Sequence, residues 1–140
     1  YSSYHKHSAY ILEYADMPGF SKLEQKRLGL LSLAHRATLR KLQGQAGHAE
    51  DRRLILALRL AALFYRGRVD VKLPRIKLSA SEDGAQLAIE RDWLACNPLT
   101  EFALRNEVKE WKLLDMRLEL TSLNSKANAA AVAAEVRAQA

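Results

Sequence analysis

In the first half of the chain apolar residues return every three or four positions, and between residues 72 and 90 they return every second position. The first rhythm is that of an α-helix and the second that of a β-strand. His7–Tyr14 places Ala9 and Leu12 on one helical face and reads as the end of a helix. Met17-Pro18-Gly19-Phe20 stops it. Ser21 with Glu24 three residues on is a capping-box pattern, in which hydroxyl and carboxylate each bond the other residue's backbone N–H. The spacing predicts a helix over 22–42, with Leu28, Leu31, Leu39, Leu42 and His35 on one face and Gly44 and Gly47 beyond its end. A second helix is predicted over 49–66. Leu54, Ala57, Leu58, Ala61, Phe64 and Tyr65 give it a wide apolar face, Arg52, Arg53, Arg59 and Arg66 lie off the centre of that face, and Gly67 closes it.

The period-two stretch predicts a strand over 72–80 with Pro74, Ile76, Leu78 and Ala80 inward, and a second over 85–90 with Leu87 and Ile89 inward. Ser81-Glu82-Asp83-Gly84 joins them. Its Asp-Gly pair signals a hairpin in which glycine takes a positive φ, and Glu82 and Asp83 read as solvated turn residues. Asn97-Pro98 is an N-cap and first-turn pair for a helix over 98–113, with Leu104, Val108 and Trp111 on one face. Met116, Leu118 and Leu120 alternate with Arg117 and Glu119 as a third strand. The fold class expected is α+β: a helical segment over 1–68, a small strand-strand-helix-strand unit over 69–121, and an alanine-rich tail over 122–140, helical by propensity but poor in apolar bulk.

Composition narrows the reading. Among 140 residues, 49% are hydrophobic and 27% charged, which is ordinary for a folded domain. No apolar run is long enough for a transmembrane helix; the longest, around Leu54–Tyr65, carries Arg59 and reads as a buried helix. The single cysteine, Cys96, allows no intramolecular disulfide and suits a reducing, cytoplasmic compartment; it reads as a small buried residue. The start at Tyr1 predicts a piece of a longer protein. The net charge of +6 is uneven: residues 1–80 carry fifteen lysines and arginines against six acids, whereas 81–140 carry seven against ten. A basic half draws polyanions such as nucleic acid, acidic lipid or phosphate chains.

Candidate chemistry lies in the basic half. His5, Lys6 and His7 form the densest histidine cluster, but residues two apart on a helix point about 200° away from each other, so His5 and His7 cannot both hold one metal from a regular helix. His35-Arg36 sits further on. The structural reading of His35 is a partly buried, hydrogen-bonded core histidine; the functional one is that His35 and Arg36 meet His5–His7 at an anion site to which Lys6 or Lys41 adds charge. The sequence has no glycine-rich phosphate loop, no nucleophile elbow, no paired acid/base carboxylates and no adjacent His-Asp pair. Trp93 and Trp111 read as core or interface anchors.

Tyr4-His5-Lys6-His7-Ser8-Ala9-Tyr10-Ile11-Leu12, then Asp16-Met17-Pro18-Gly19-Phe20-Ser21, then His35-Arg36, resemble in order and spacing the C-terminal region of the exopolyphosphatase / guanosine pentaphosphate phosphohydrolase family; Asp92-Trp93 and Trp111 extend the similarity over about residues 1–120. The resemblance implies a parent with two N-terminal actin-like domains carrying the catalytic carboxylate and phosphate loops, followed by a helical region related to the HD phosphohydrolase fold, of which 1–68 would be an incomplete part. It implies removal of terminal phosphate from inorganic polyphosphate or guanosine pentaphosphate with Mg²⁺, by a homodimer whose C-terminal regions enclose a basic channel. On that reading this piece holds no catalytic residue, no metal and no cofactor of its own. Its expected polyphosphate contacts are His5, Lys6, His7, Arg36, Arg40 and Lys41, with Arg52 and Arg53 as outlying candidates. An incomplete helical core would leave an apolar face such as Leu54–Phe64 uncovered, for self-association or a partner.

Two other readings compete. A basic nucleic-acid-binding module fits the charge but lacks stacking aromatics interleaved with cations. An HD-type metal-dependent phosphohydrolase would need the adjacent His-Asp pair that this sequence does not contain.

Overall fold

The computed structural model describes residues 3–45 and 48–123. Gly47 and positions 124–140 of the tail expected over 122–140 lie outside the described residues, while Ser122 and Leu123 end the last strand and are not part of a helical tail. The class is the α+β expected: among the described residues there are five α-helices and a three-stranded sheet. Helix α1 is Tyr4–Tyr14, α2 Lys22–Ala34, α3 Ala49–Phe64, α4 Arg91–Cys96 and α5 Pro98–Lys112; β1 is Ile76–Ala80, β2 Gly84–Glu90 and β3 Arg117–Leu123.

The first two helices pack as a close pair. Ala9 of α1 faces Gly29 of α2 so tightly that a Cβ on Gly29 would come within 3.1 Å of the Ala9 carbonyl oxygen. Buried Gln25 ties the same pair together, its Nε2 donating to the carbonyls of Leu12 (3.2 Å) and Ala15 (2.7 Å) at the end of α1. Orphan carbonyls at a helix end are thereby satisfied from the neighbouring helix. The capping box forms as expected: Glu24 N–H donates to Ser21 Oγ at 3.1 Å and Ser21 N–H to Glu24 Oε2 at 2.7 Å.

The helix expected over 22–42 is two pieces. α2 stops at Ala34, Ala37 takes a left-handed φ of 62°, and Thr38 Oγ1 accepts from Arg40 N–H to start a 3-10 turn over Leu39–Leu42. Leu39 and Leu42 are buried as expected, but on that turn rather than on the helix, whose buried residues are Gln25, Gly29 and Ala34. The face of α3 is also rotated from the expectation. Ile55, Leu56, Arg59 and Leu60 point inward, while Leu54, Leu58 and Tyr65 are exposed. The run 54–64 is apolar on both sides, so periodicity alone does not select a face, and the arginine in the middle of the buried one finds its partner on α5.

The sheet order is β1-β2-β3, with β1 antiparallel and β3 parallel to β2. α4 and α5 supply the crossover that a parallel pair requires. The hairpin between β1 and β2 forms, with Glu82 and Asp83 exposed, but its loop is the three residues 81–83, and Gly84, the first residue of β2, has no positive φ. Glycine is needed there because a Cβ would lie 2.0 Å from the Arg117 carbonyl oxygen of β3. Leu87 and Ile89 are buried as expected, whereas every residue of β1 is exposed. Leu78 pairs with Leu87 and Ile76 with Ile89, so they share the covered face by register but lie at the sheet's edge.

α4 was not expected, being too short to show a period, and two readings change with it. Cys96 at its end is exposed, not buried. Asn97 is the N-cap residue of α5 with Pro98 in its first turn, as expected, but its Nδ2 donates to the Trp93 carbonyl at 2.8 Å, so its side chain closes α4 and does not bond the start of α5. One cluster of buried residues joins the helices to the sheet, among them Ala34, Leu39, Leu42, Ile55, Leu87, Ile89, Leu104 and Trp111. Trp93 packs beside it, its ring 6.0 Å from that of Phe64. No helix among the described residues is long and apolar enough to cross a membrane.

Candidate functional site

The left-handed turn at Ala37 decides where the cations go. It carries Arg36 at its start and delivers Lys41 on the 3-10 turn that follows, and Lys41 Nζ donates back to the Arg36 carbonyl at 2.8 Å. The turn comes up beside the first part of α1. His5 there is 8% exposed and sits in the field of Lys41, Lys6, His35 and Arg36. Burial, and after it those four cationic neighbours in that order, hold the His5 imidazole below its ordinary value. Lys41 is pushed down to about 8 by burial, then by Arg59 and Lys6, with Glu110 opposing. Cations that lower one another's proton affinity sit at a potential that a bound anion would relieve.

Of the candidates read from sequence, His5, Lys6, Arg36 and Lys41 are therefore brought together. His35 joins them half-buried, its Nδ1 donating to the Ser32 carbonyl at 2.6 Å, as its structural reading expected. His7 is exposed, two positions round α1 from buried His5, and is not among the charges acting on His5 or Lys41. Nor are Arg40, exposed on the 3-10 turn, or Arg52 and Arg53 on the first turns of α3. Among the described residues, three or more His, Cys, Asp or Glu side chains nowhere converge as a metal-holding group.

Sequence reasoning missed what lies beneath the turn. Arg59, placed off the apolar stripe from sequence, is buried. It donates to the carbonyls of Ala34 (2.8 Å) and Ala37 (3.0 Å) and grips the Glu107 carboxylate with Nε and Nη2. Trp111 Nε1 donates to the same carboxylate at 3.2 Å. On α5, Glu110 Oε2 accepts from Leu39 N–H at 2.6 Å. A signal was present: Glu107 stands three positions after Leu104 and four before Trp111, on the stripe read as apolar. Beside these groups an open cleft of about 780 Å³ is lined by Arg36, Arg66, Phe102, Asn106, Glu107 and Glu110 among others. Its carboxylates make it mixed in charge, unlike the all-cationic setting of His5.

Residues 1–108 match the model of the Ppx/GppA phosphatase domain III family. The chain is 35% identical over 122 residues to the guanosine-5'-triphosphate,3'-diphosphate pyrophosphatase of Pseudoalteromonas translucida, covering 81% of this chain and 24% of that protein. It is 36% identical over 104 residues to the protein of that name from Vibrio cholerae, covering 73% and 21%, and 33% identical over 125 residues to that from Pseudoalteromonas atlantica, covering 86% and 24%. The chain thus spans about a quarter of the length of these curated relatives. With most of its length matched and a third of its residues shared, the chain belongs to the Ppx/GppA phosphatase family, of which it carries domain III.

Proposed function

We propose that this chain is the polyanion-binding accessory region of a Ppx/GppA phosphohydrolase. The parent removes terminal phosphate from inorganic polyphosphate or guanosine pentaphosphate in the cytoplasm. The chemistry belongs to N-terminal actin-like domains with Mg²⁺, and this region, an HD-like helical segment followed by the small sheet unit, holds the phosphate chain and a homodimer. The observation that carries the reading is the convergence of Lys6, Arg36 and Lys41 on His5 with no carboxylate among the charges that act on that imidazole. A linear phosphate polymer is a dense row of negative charge, and a fixed group of cations attracts it in a salt-dependent way. The name of the relatives, guanosine-5'-triphosphate,3'-diphosphate pyrophosphatase, agrees with a phosphate-rich ligand.

The test is polyphosphate binding by the protein at rising salt, alongside an Arg36→Ala/Lys41→Ala variant. Wild-type affinity is expected to fall steeply with salt. The variant is expected to bind more weakly, with a slope shallower by roughly one to two counterions. Equal affinity and slope in the two proteins would remove those residues from the site.

A further inference from the structure

We infer that Glu110, Arg59 and Glu107 are positioning residues for the anion-binding turn: they touch no ligand themselves but hold in place the backbone of residues 34–41, which carries Arg36 and Lys41. The inference rests on the reading above and names residues it does not contain.

The geometry is that of a turn tethered at both ends. At the start, Arg59 Nη1 donates to the carbonyls of Ala34 and Ala37, which flank His35 and Arg36. The rest of its guanidinium is locked onto Glu107, itself held by Trp111 at 1% exposure. A planar guanidinium gripped on one edge offers its remaining N–H donors in a fixed direction. At the other end, Glu110 Oε2 takes the Leu39 N–H at 2.6 Å, two residues before Lys41. Gln43 Nε2 adds a bond to the Leu113 carbonyl at 3.0 Å, again on the α5 side. Between the tethers Ala37 holds a left-handed φ that a non-glycine residue adopts only when its surroundings impose it. The cations are thus displayed on a backbone whose shape is set from α3 and α5, elements that carry none of the residues meeting at His5.

Glu110 allows charge and tether to be separated by the sign of the effect. As a nearby negative charge it weakens attraction for a polyanion, so simple removal of charge would tighten binding. As a tether it supports binding. Glu110→Gln keeps an oxygen for the Leu39 N–H and loses the charge; Glu110→Ala loses both. The experiment measures polyphosphate affinity of the protein and the NMR titration of His5, which burial and then the charges of Lys41, Lys6, His35 and Arg36 hold down without any ligand. Arg59→Met/Glu107→Leu, which removes the buried charges together, is the second variant, with circular dichroism confirming the fold of each.

Glu110→Gln is expected to bind as tightly as wild type or more so, with His5 unmoved. Glu110→Ala and the double variant are expected to bind roughly tenfold more weakly, with His5 titrating nearer its ordinary value as the cations withdraw. Folded variants with wild-type His5 titration and wild-type affinity would overturn the inference, as would Glu110→Ala binding as tightly as Glu110→Gln. A wild-type protein that binds no polyphosphate, with His5 still moving in the variants, would sink the proposed function and leave the positioning role standing.

Discussion

Arg59 and Glu107 meet as a two-pronged buried pair, Nη2 to Oε1 at 2.6 Å and Nε to Oε2 at 3.0 Å, with side chains only 6% and 9% exposed. The two residues are 48 positions apart and join α3 to α5 beneath the turn that carries Arg36. A lone charge left in such a place is penalised far more than the pair is rewarded. Arg59→Met or Glu107→Leu alone is expected to destabilise the fold by about 3–5 kcal/mol. The double variant is expected to be more stable than either single one, because no unpaired charge remains. Urea unfolding of the four proteins in a double-mutant cycle measures this; purely additive losses would refute it.

Gly84 answers to a neighbour rather than to a turn. Any Cβ there meets the Arg117 carbonyl oxygen at 2.0 Å and its carbon at 2.8 Å, both backbone atoms that cannot rotate away. Gly84→Ala is expected to push β2 from β3 and to cost about 3 kcal/mol. Denaturant midpoints check it. A variant within 0.5 kcal/mol of wild type, roughly the scale of a neutral surface change, would show that the strands have room to part.

The sequence made the class, the order of elements and the basic half legible, because period, capping chemistry and net charge are local. Ser21 with Glu24 was readable as a capping box, and Leu87 and Ile89 as an inward pair, from a few residues each. What failed depended on partners far along the chain. The break at Ala37 has no glycine or proline to mark it, and Arg59, a polar interruption in an apolar run, becomes a core residue only through Glu107. The same holds for the site: the charges of Arg36 and Lys41 were visible, but that they act on His5 follows from the turn.

The rotated face of α3 gives a direct contrast. Ile55 is fully buried, whereas Leu54 and Leu58 are each 41% exposed. Ile55→Ala is expected to lose about 2–5 kcal/mol through lost contact and a cavity. Leu54→Ala and Leu58→Ala are expected to lose about 1 kcal/mol or less. Thermal unfolding of the three variants at low protein concentration ranks them, and a larger loss at Leu58 than at Ile55 would place the core on the opposite side of the helix.

Lys41 should impose a pH window on anion binding. Its pKa of about 8 lies well below the ordinary 10.5, because of burial first and then the charges of Arg59 and Lys6. The folded state therefore holds fewer protons than the unfolded one between these values, so the contribution of Lys41 makes stability rise with pH there, the penalty being full below about 8. Binding runs the other way. Above about 8 the free protein loses the Lys41 charge, and polyphosphate must drive a proton back on, so affinity is expected to fall by up to about tenfold per pH unit. His5 does not interfere, since its shift is downward from 6.5 and it is already neutral in that window. Lys41→Arg keeps its charge throughout and is expected to bind with little change between about pH 7.5 and 9.5. Calorimetry over that range, in buffers of different ionisation enthalpy, would register proton uptake by wild type and none by the variant; equal pH profiles for the two would take Lys41 out of the anion's reach.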